Sequence, residues 1–293
     1  MRGRACFGLI AALALGPTSV GAAPRAELVG TFVWQDGSRD FGGLSGLELS
    51  RDGLRFVVIS DRASIFSGAF VRDTQGAVAS ATIEDARKLV DASGRPLAGK
   101  AVDSEGLALL ADGTIAISFE DSHRLTFRAD PAAPESTASP PPGVAEWRRN
   151  QALEALAAAP DGSLWAFTEG KIGDRHMIVR FRDGVWLSPL WLSAEGAWRP
   201  VGADFGPDGR LYLLQRDFWP LVGFMSRVLR FDVSESGPSN PQILLESRAG
   251  VFDNFEALAV WQDGEGAIRL TLVSDDNFLP VQRTEVVDLR VIE

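Results

Sequence analysis

The stretch LEALAAAPDGSLWAFTEG, residues 153–170, recurs with variation along the chain and decides the fold. In it, two short apolar runs flank an Asp-Gly pair, a pattern typical of a β-hairpin. Comparable stretches contain Asp-Gly pairs that begin at residues 52, 112, 208 and 263, against 161 in the quoted stretch. This recurrence, roughly every 50 residues, predicts a β-propeller in which each repeat forms one four-stranded blade.

The strands that follow each hairpin set the number of blades. A third strand candidate follows every hairpin and a fourth follows most of them, but the last repeat has no fourth strand before Glu293. The strand ELVGTFVWQ (27–35) precedes all the repeats and is predicted to fill that gap and close the ring. We therefore predict an all-β chain forming a single β-propeller of five four-stranded blades. Six blades are the alternative, if the longer first interval contains a degenerate repeat.

Two segments between the repeats have a less regular pattern. TIEDARKLVD (82–91) is a short helix candidate, although its residues fit a strand equally well. The proline-rich PAAPESTASPPPG (131–143) is predicted to be an excursion between strands of the second blade. Neither segment predicts a second domain.

The N-terminus has the pattern of a secretory signal peptide over residues 1–22. A basic start is followed by a short apolar run and by Val20-Gly21-Ala22, which suits a signal peptidase. We therefore expect a periplasmic or secreted protein whose propeller domain spans residues 23–293. Cys6 is the only cysteine and lies in the leader, so the mature chain has neither disulfides nor thiolate chemistry.

The charge balance of the mature chain limits its partners. Without Arg2 and Arg4 there are 27 basic and 39 acidic residues, a net charge of −12. Such a chain repels nucleic acid and anionic membrane surfaces, and no later apolar run is long enough to span a membrane. We expect a monomer that acts on a small molecule, and its acidity suits a bound cation.

Hairpin geometry predicts that glutamates meet in pairs. Residues equidistant from a two-residue Asp-Gly turn face each other, which opposes Glu105 to Glu120 and Glu154 to Glu169. A type I turn with a glycine bulge is the alternative and would shift the pairing by one residue. Directly opposed like charges destabilise a strand pair by up to about 1 kcal/mol. A shared proton or a cation between the carboxylates would relieve this repulsion.

The glutamates also repeat at one end of the channel. The first strand of each blade lines the channel, so Glu105, Glu154 and Glu256 are predicted to rim the same mouth. Clusters of oxygen ligands suit a hard cation such as calcium, and Asn150 would add an amide oxygen. The alternative is structural: the glutamates would hold backbone amides or arginines, for which the candidates are Arg62, Arg124 and Arg216.

Catalytic candidates stand beside this mouth. Asp61, Glu120 and Glu169 are placed to act as a general base, and Arg62 or Arg216 to hold an anionic group. His123 is either a further acid or base at the mouth or an exposed residue, and His176 is expected to be structural. The G-x-S-x-G elbow of serine hydrolases and the glycine-rich phosphate loops do not occur.

Taken in order, several motifs resemble the phytase-like propeller family, known by its "esterase-like activity of phytase". The matching stretches are FGGLSGLELSRDG (41–53), VDSEGLALLADG (102–113), NQALEALAAAPDG (150–162), ADFGPDGRLYLLQRDF (203–218), DNFEALAVW (253–261) and LVSDDNF (272–278). The resemblance covers nearly the whole mature chain. It implies a bacterial exported protein with calcium at a carboxylate-rich channel mouth, where Glu105, Glu154 and Glu256 would be ligands.

Two departures from the repeat bear on function. Ser45 and Val201 occupy the glutamate position in the first and fourth repeats, which implies a lopsided site instead of a symmetric ring. Few arginines stand near the mouth, which argues against a highly phosphorylated substrate. The leading hypothesis is a calcium-assisted hydrolase of an ester, lactone or phosphoester. The alternative is a non-catalytic propeller that binds a ligand or protein, with structural glutamates.

Overall fold

The computed structural model describes residues 22–144, 147 and 153–293, and it contains five four-stranded antiparallel sheets arranged as blades around a channel. The prediction of a five-bladed all-β propeller is confirmed, and the six-bladed alternative is wrong. Residues 1–21 of the predicted leader and the candidate ligand Asn150 lie outside the described residues.

Blades 1 to 4 each use four consecutive strands, ordered from the channel outward. They are β2 (Leu44–Leu49), β3 (Arg55–Ser60), β4 (Ser64–Arg72) and β5 (Val78–Lys88) in blade 1; β6 (Ser104–Leu109), β7 (Ile115–Phe119), β8 (Arg124–Arg128) and β9 (Ser136–Thr137) in blade 2; β10 (Leu153–Ala158), β11 (Leu164–Ile172), β12 (Arg175–Arg182) and β13 (Val185–Ser193) in blade 3; β14 (Arg199–Phe205), β15 (Leu211–Trp219), β16 (Gly223–Ser234) and β17 (Gly237–Glu246) in blade 4.

Blade 5 combines the two ends of the chain. Its inner strands are β18 (Asn254–Gln262), β19 (Ile268–Asp275) and β20 (Glu285–Ile292), and its outer strand is β1 (Arg25–Val33). β1 runs antiparallel to β20, with Arg25 opposite Ile292. The predicted closure of the ring by an N-terminal strand is thus confirmed.

The two irregular segments differ from their predictions in detail. Most of the helix candidate 82–91 belongs to β5, which pairs with β4 along its length. The proline-rich segment contains β9, the outer strand of blade 2, and the rest of it leads toward blade 3. A short 3₁₀ turn occurs at Gly99–Ala101, and the described residues contain no helix long and apolar enough to cross a membrane.

The core lies between the blades. Five clusters of buried apolar side chains each join residues of two neighbouring blades, so every blade is held on both faces. Between blades 5 and 1, for example, Trp34 stacks edge-on against Phe56 and Phe70. Burial of this apolar surface supplies most of the stability of such a ring.

Small residues narrow the middle of the channel. Gly46, Gly106 and Gly202 lie there together with Ala155 and Ala257, around a void of only about 10 Å³. A Cβ on Gly106 would lie 2.6 Å from the carbonyl oxygen of Glu154 and from the Cβ of Leu156, so the inner strands approach too closely for a larger residue. The channel is thereby divided into two cups that open at opposite ends.

Candidate functional site

The larger cup opens where the inner strands begin, has a volume of about 650 Å³ and is rich in carboxylates. At this end of the channel, each blade has one residue near the start of its inner strand and one near the point where its second strand stops pairing with the inner strand, and all of them except Val201 line the cup. We call the first set the inner ring: Ser45, Glu105, Glu154, Val201 and Glu256. The second set is the outer ring: Asp61, Glu120, Glu169, Arg216 and Asp275. We call this cavity the acidic cup.

A β-bulge lies at the inner-ring position of every blade. In blade 2 the register changes between Ser104, which faces Phe119, and Leu107, which faces Ile117. Bulges of this kind re-aim a side chain, and here they direct the glutamates of three blades into the same cup.

The predicted direct opposition of the glutamates is wrong. The turn of blade 2 has Gly113 at φ +88°, and Leu109 pairs with Ile115, which is the register of the glycine-bulge alternative. The second bulge then moves Glu105 by a further position relative to Glu120. In blade 3 Leu153 faces Thr168, which likewise separates Glu154 from direct pairing with Glu169. Glu105 and Glu120 nevertheless remain close, with one oxygen of each within 4.8 Å, and Glu105 also lies near Glu154 of the next blade.

On one side of the cup, arginines neutralise the carboxylates. Arg216 donates hydrogen bonds to Glu256 and, over 2.6 Å, to Oδ1 of Asn254. Arg216 also lies 3.7 Å from Glu169, which accepts a 3.0 Å hydrogen bond from Arg199. Two of the predicted functional glutamates, Glu256 and Glu169, therefore have the arginine partners that the structural alternative requires.

On the opposite side, the carboxylates meet one another. One oxygen from each of Asp103, Glu105 and Glu120 lies within 4.8 Å of the other two, in a half-buried cluster. Asp61 lines the same cup, and its Oδ1 is buried without a hydrogen-bond partner among the described residues. We call Asp61, Asp103, Glu105 and Glu120 the carboxylate cluster.

Like charges and burial perturb the pKa values of this cluster. Burial raises the pKa of Asp61 to about 7, and the neighbouring charge of Asp275 adds to the effect. Burial raises the pKa of Glu120 to about 7 as well, with a contribution from Asp103. Burial and the charge of Glu154 keep the pKa of Glu105 well above its ordinary range. These groups resist ionisation together, so a cation between them would be favourable.

The sequence signature of the family described as "Phytase-like: Esterase-like activity of phytase" matches residues 39–278. The chain belongs to this family. The resemblance found in the ordered motifs is thus confirmed, and the match includes both rings of the acidic cup. No curated protein matches this phytase-like chain.

Two solved structures resemble the phytase-like propeller in fold. An α-L-arabinofuranosidase from Podospora anserina, in complex with cellotriose, has a TM-score of 0.56 and 11% identity, covering 92% of this chain and 97% of its own. A PQQ-bound aldose sugar dehydrogenase from Streptomyces coelicolor has a TM-score of 0.52 and 13% identity, covering 92% and 98%. At such low identity these similarities establish the architecture alone.

Other sequence candidates lie at the edge of the phytase-like site or beyond it. The guanidinium of Arg62 stacks on the ring of Phe278, 3.4 Å from its centroid. Arg124 stacks on Phe119 and donates a hydrogen bond to the backbone oxygen of Ala101. Neither arginine is among the residues that line the acidic cup.

The two histidines also lie away from the carboxylates. His123 has a positive φ of 44° and packs against Trp147, and burial lowers its pKa. His176 is fully buried, with Nδ1 3.1 Å from the backbone oxygen of Thr168. Neither histidine lines the acidic cup.

Sequence reasoning missed part of the lining. Phe218 and Phe224 contribute an apolar wall, and Arg199 adds a second guanidinium. Arg199 faces Arg216 only because the turn and the bulge of blade 4 shift the register, so counting from the turn does not find it. The two phenylalanines could not be found either, because their position depends on how far β15 and β16 remain paired.

The far cup, at the other end of the channel, has about 550 Å³ and contains Glu48 and Asp204. Each accepts a hydrogen bond from a backbone N–H of the next blade. The donor to Glu48 is Leu109, at 3.2 Å, and the donor to Asp204 is Val260, at 2.6 Å. Burial raises the pKa of Glu48 above its ordinary value and that of Asp204 to about 7. These contacts connect neighbouring blades, which gives the far cup a structural explanation.

Proposed function

We propose that this phytase-like propeller is a hydrolase of an ester, lactone or phosphoester that uses a divalent cation, best calcium, in the acidic cup. The observation that carries the proposal is the meeting of three carboxylates, from Asp103, Glu105 and Glu120, within 4.8 Å. Their donor set consists of oxygen atoms, which calcium prefers. The buried Oδ1 of Asp61 has no hydrogen-bond partner among the described residues, and a bound cation would satisfy it.

Asp103, Glu105 and Glu120 would hold the cation, and Glu154 stands beside them as a further oxygen donor. When bound, the cation would supply Lewis-acid polarisation of the ester or phosphoester oxygen. Asp61 would accept the proton of the attacking water, because its carboxylate lines the cup beside the residues that would hold the cation. Arg216, on the opposite wall, would orient an oxygen of the substrate while remaining paired with Glu256.

A non-catalytic binding propeller is the second candidate, and the arginine side of the cup favours it. Glu256 and Glu169 are paired with Arg216 and Arg199, which is how structural glutamates are satisfied. In that case the carboxylate cluster would hold protons instead of a cation.

Calcium titration of matched variants separates the two functions. Isothermal calorimetry and thermal unfolding of the purified protein, with and without CaCl₂, are expected to show binding and a rise in Tm. Glu105→Gln should abolish both. Glu256→Gln is the matched control: it changes the same residue type at the equivalent position, yet calcium should still bind because Glu256 is held by Arg216. Absence of any calcium response in the unaltered protein, with no turnover of p-nitrophenyl acetate or phosphate, would favour the binding module.

We also propose export of the protein, on the basis of the leader pattern in residues 1–22. Expression of the full chain in a bacterium, followed by fractionation and mass spectrometry, is expected to yield a periplasmic or extracellular form that begins near Ala23. Retention of Met1 in a cytoplasmic form would contradict this proposal.

A further inference from the structure

The hairpin of blade 4 is longer than its counterpart in blade 2. In blade 2 the pairing of β7 with β8 stops at Phe119 and Arg124, level with the rim. In blade 4 Gln215 occupies the position of Phe119, but β15 and β16 stay paired through Phe218–Phe224 and Trp219–Gly223. The extra residues rise above the acidic cup on one side.

The inner side of this extension is aromatic. Phe218 and Phe224 lie opposite each other in the hairpin, with ring centroids 4.8 Å apart, and both line the acidic cup. Phe218 is 54% exposed although it contacts another aromatic ring. An exposed aromatic surface beside a polar cavity is typical of a ligand-binding wall. We call Phe218 and Phe224 the aromatic wall.

The aromatic wall has a fixed support. The N–H of Gly250, in the loop between β17 and β18, donates a 2.9 Å hydrogen bond to the backbone oxygen of Phe224. A Cβ on Gly223 would lie 3.3 Å from Gly250, so the hairpin and the loop are in close contact. A wall held in this way needs little ordering when a ligand binds, which favours affinity.

The charge of the cup selects against anionic ligands. Among the described residues that line it, nine have a carboxyl group, whereas only Arg199 and Arg216 have a guanidinium. Both arginines are already paired with glutamates. One divalent cation would leave the lining acidic, and a substrate with several phosphates would meet repulsion. An uncharged ester would meet no such repulsion.

We infer that the substrate is an uncharged carboxylic ester or lactone whose apolar chain lies against the aromatic wall of blade 4. Its ester group would then point across the cup toward the carboxylate cluster of blades 1 and 2. This inference rests on the proposed function and narrows it from three substrate types to two.

The test is a series of p-nitrophenyl esters with acetyl, butyryl and octanoyl groups, measured as kcat/KM at saturating CaCl₂. We expect kcat/KM to rise by about twofold to fourfold for each methylene that contacts the wall, until the wall is covered. p-Nitrophenyl phosphate should be the poorest substrate. Phe218→Ala should lower kcat/KM about tenfold for octanoate and much less for acetate, which flattens the dependence on chain length.

Leu221→Ala is the matched control, because Leu221 is fully exposed at the tip of the same hairpin and does not line the cup. It should leave the chain-length dependence unchanged. Equal kcat/KM for acetate and octanoate, a proportional loss on both in Phe218→Ala, or a better rate with the phosphate would each overturn the inference while leaving hydrolysis intact.

A binding experiment keeps the two proposals distinguishable. If no ester is hydrolysed, the proposed function fails, and calorimetry with octanamide and acetamide then tests the wall alone. Octanamide should bind more tightly than acetamide, and Phe218→Ala should remove the difference. Equal affinities for the two amides in the unaltered protein would show that the aromatic wall does not select an apolar chain.

Discussion

Blade 2 and blade 4 are built from the same repeat, yet they give the acidic cup opposite sides. Blade 2 places Glu105 in the inner ring and Glu120 in the outer ring, where blade 4 places Val201 and Arg216. The hairpin of blade 2 stops at the rim, whereas that of blade 4 continues into the aromatic wall. The comparison teaches that departures from the repeat in a single blade are enough to give a symmetric ring two different sides, one acidic and one lined by arginine and phenylalanine.

Giving blade 4 the charge of blade 2 should have the largest effect. Arg216→Glu would leave Glu256 and Glu169 facing a third carboxylate in a half-buried site. We expect the free energy of unfolding to fall by about 3 kcal/mol at pH 8, because removing one partner of a buried pair leaves the other charge uncompensated. Urea unfolding measures this loss. Arg216→Gln, which keeps a donor for Asn254, should lose less; an equal loss in both would show that charge is not the cause.

The narrow part of the channel offers the next comparison. A Cβ on Gly106 of blade 2 would lie 2.6 Å from its neighbours, but one on Gly202 of blade 4 would lie at 3.1 Å. We expect Gly106→Ala to cost about 2 kcal/mol of stability and Gly202→Ala less than about 1 kcal/mol, because overpacking strains the inner strands. Denaturant unfolding of both variants checks the order. The reverse order would mean that blade 2 adjusts more easily than blade 4.

The same substitution at two inner-ring positions should have effects of opposite sign. Glu105→Gln removes a carboxylate that burial and Glu154 disfavour, so we expect about 1–2 kcal/mol of added stability at pH 8 without calcium. Glu256→Gln weakens the pairing of Arg216 and should cost about 1–2 kcal/mol. Thermal unfolding in EDTA provides the measurement, and changes of the same sign would contradict the division of the cup into two sides.

The last comparison concerns a pH dependence that originates in the far cup. Blade 4 has Asp204 at the position of Ala108 in blade 2, and burial raises the pKa of Asp204 from 3.8 to about 7. Between these values the folded protein keeps a proton that the unfolded chain has released, so this contribution to stability is complete below pH 4 and declines as the pH rises toward 7. Asp204→Asn should flatten the decline in Tm over this range. If the slope of Tm against pH is unchanged in Asp204→Asn, the decline originates in other carboxyl groups.

Much of this molecule could be predicted from the sequence because the repeat is regular. Counting outward from the Asp-Gly turns found two members of the outer ring, Glu120 and Glu169, and the catalytic candidates predicted beside the mouth included two more, Asp61 and Arg216. The same counting failed for direct contacts. In blades 2, 3 and 4 the turn shifts the register by one residue, whereas in blade 1 it does not. The bulge at the inner ring of every blade shifts it by one residue more, and neither change alters the spacing of the repeat.

Contacts between blades were beyond sequence reasoning. The pairing of Arg216 with Glu256 joins strands of blades 4 and 5, and depends on how the two sheets pack. The length of the hairpin that presents Phe218 depends on pairing past Gln215, where the repeat no longer guides the alignment. The periodicity of the repeat therefore predicts the ring of blades and the positions that face the channel mouth. Packing between the blades decides which neighbouring charges compensate one another.

The closure of blade 5 by β1 also has a consequence for folding. Because Arg25 pairs with Ile292, the ring cannot be completed until nearly the whole chain is available. Contacts between residues so distant in sequence slow folding, and blade 5 has to be assembled last. Until then the edges with which β1 and β20 pair present unpaired backbone groups, which makes the unfinished propeller prone to aggregation and a substrate for chaperones.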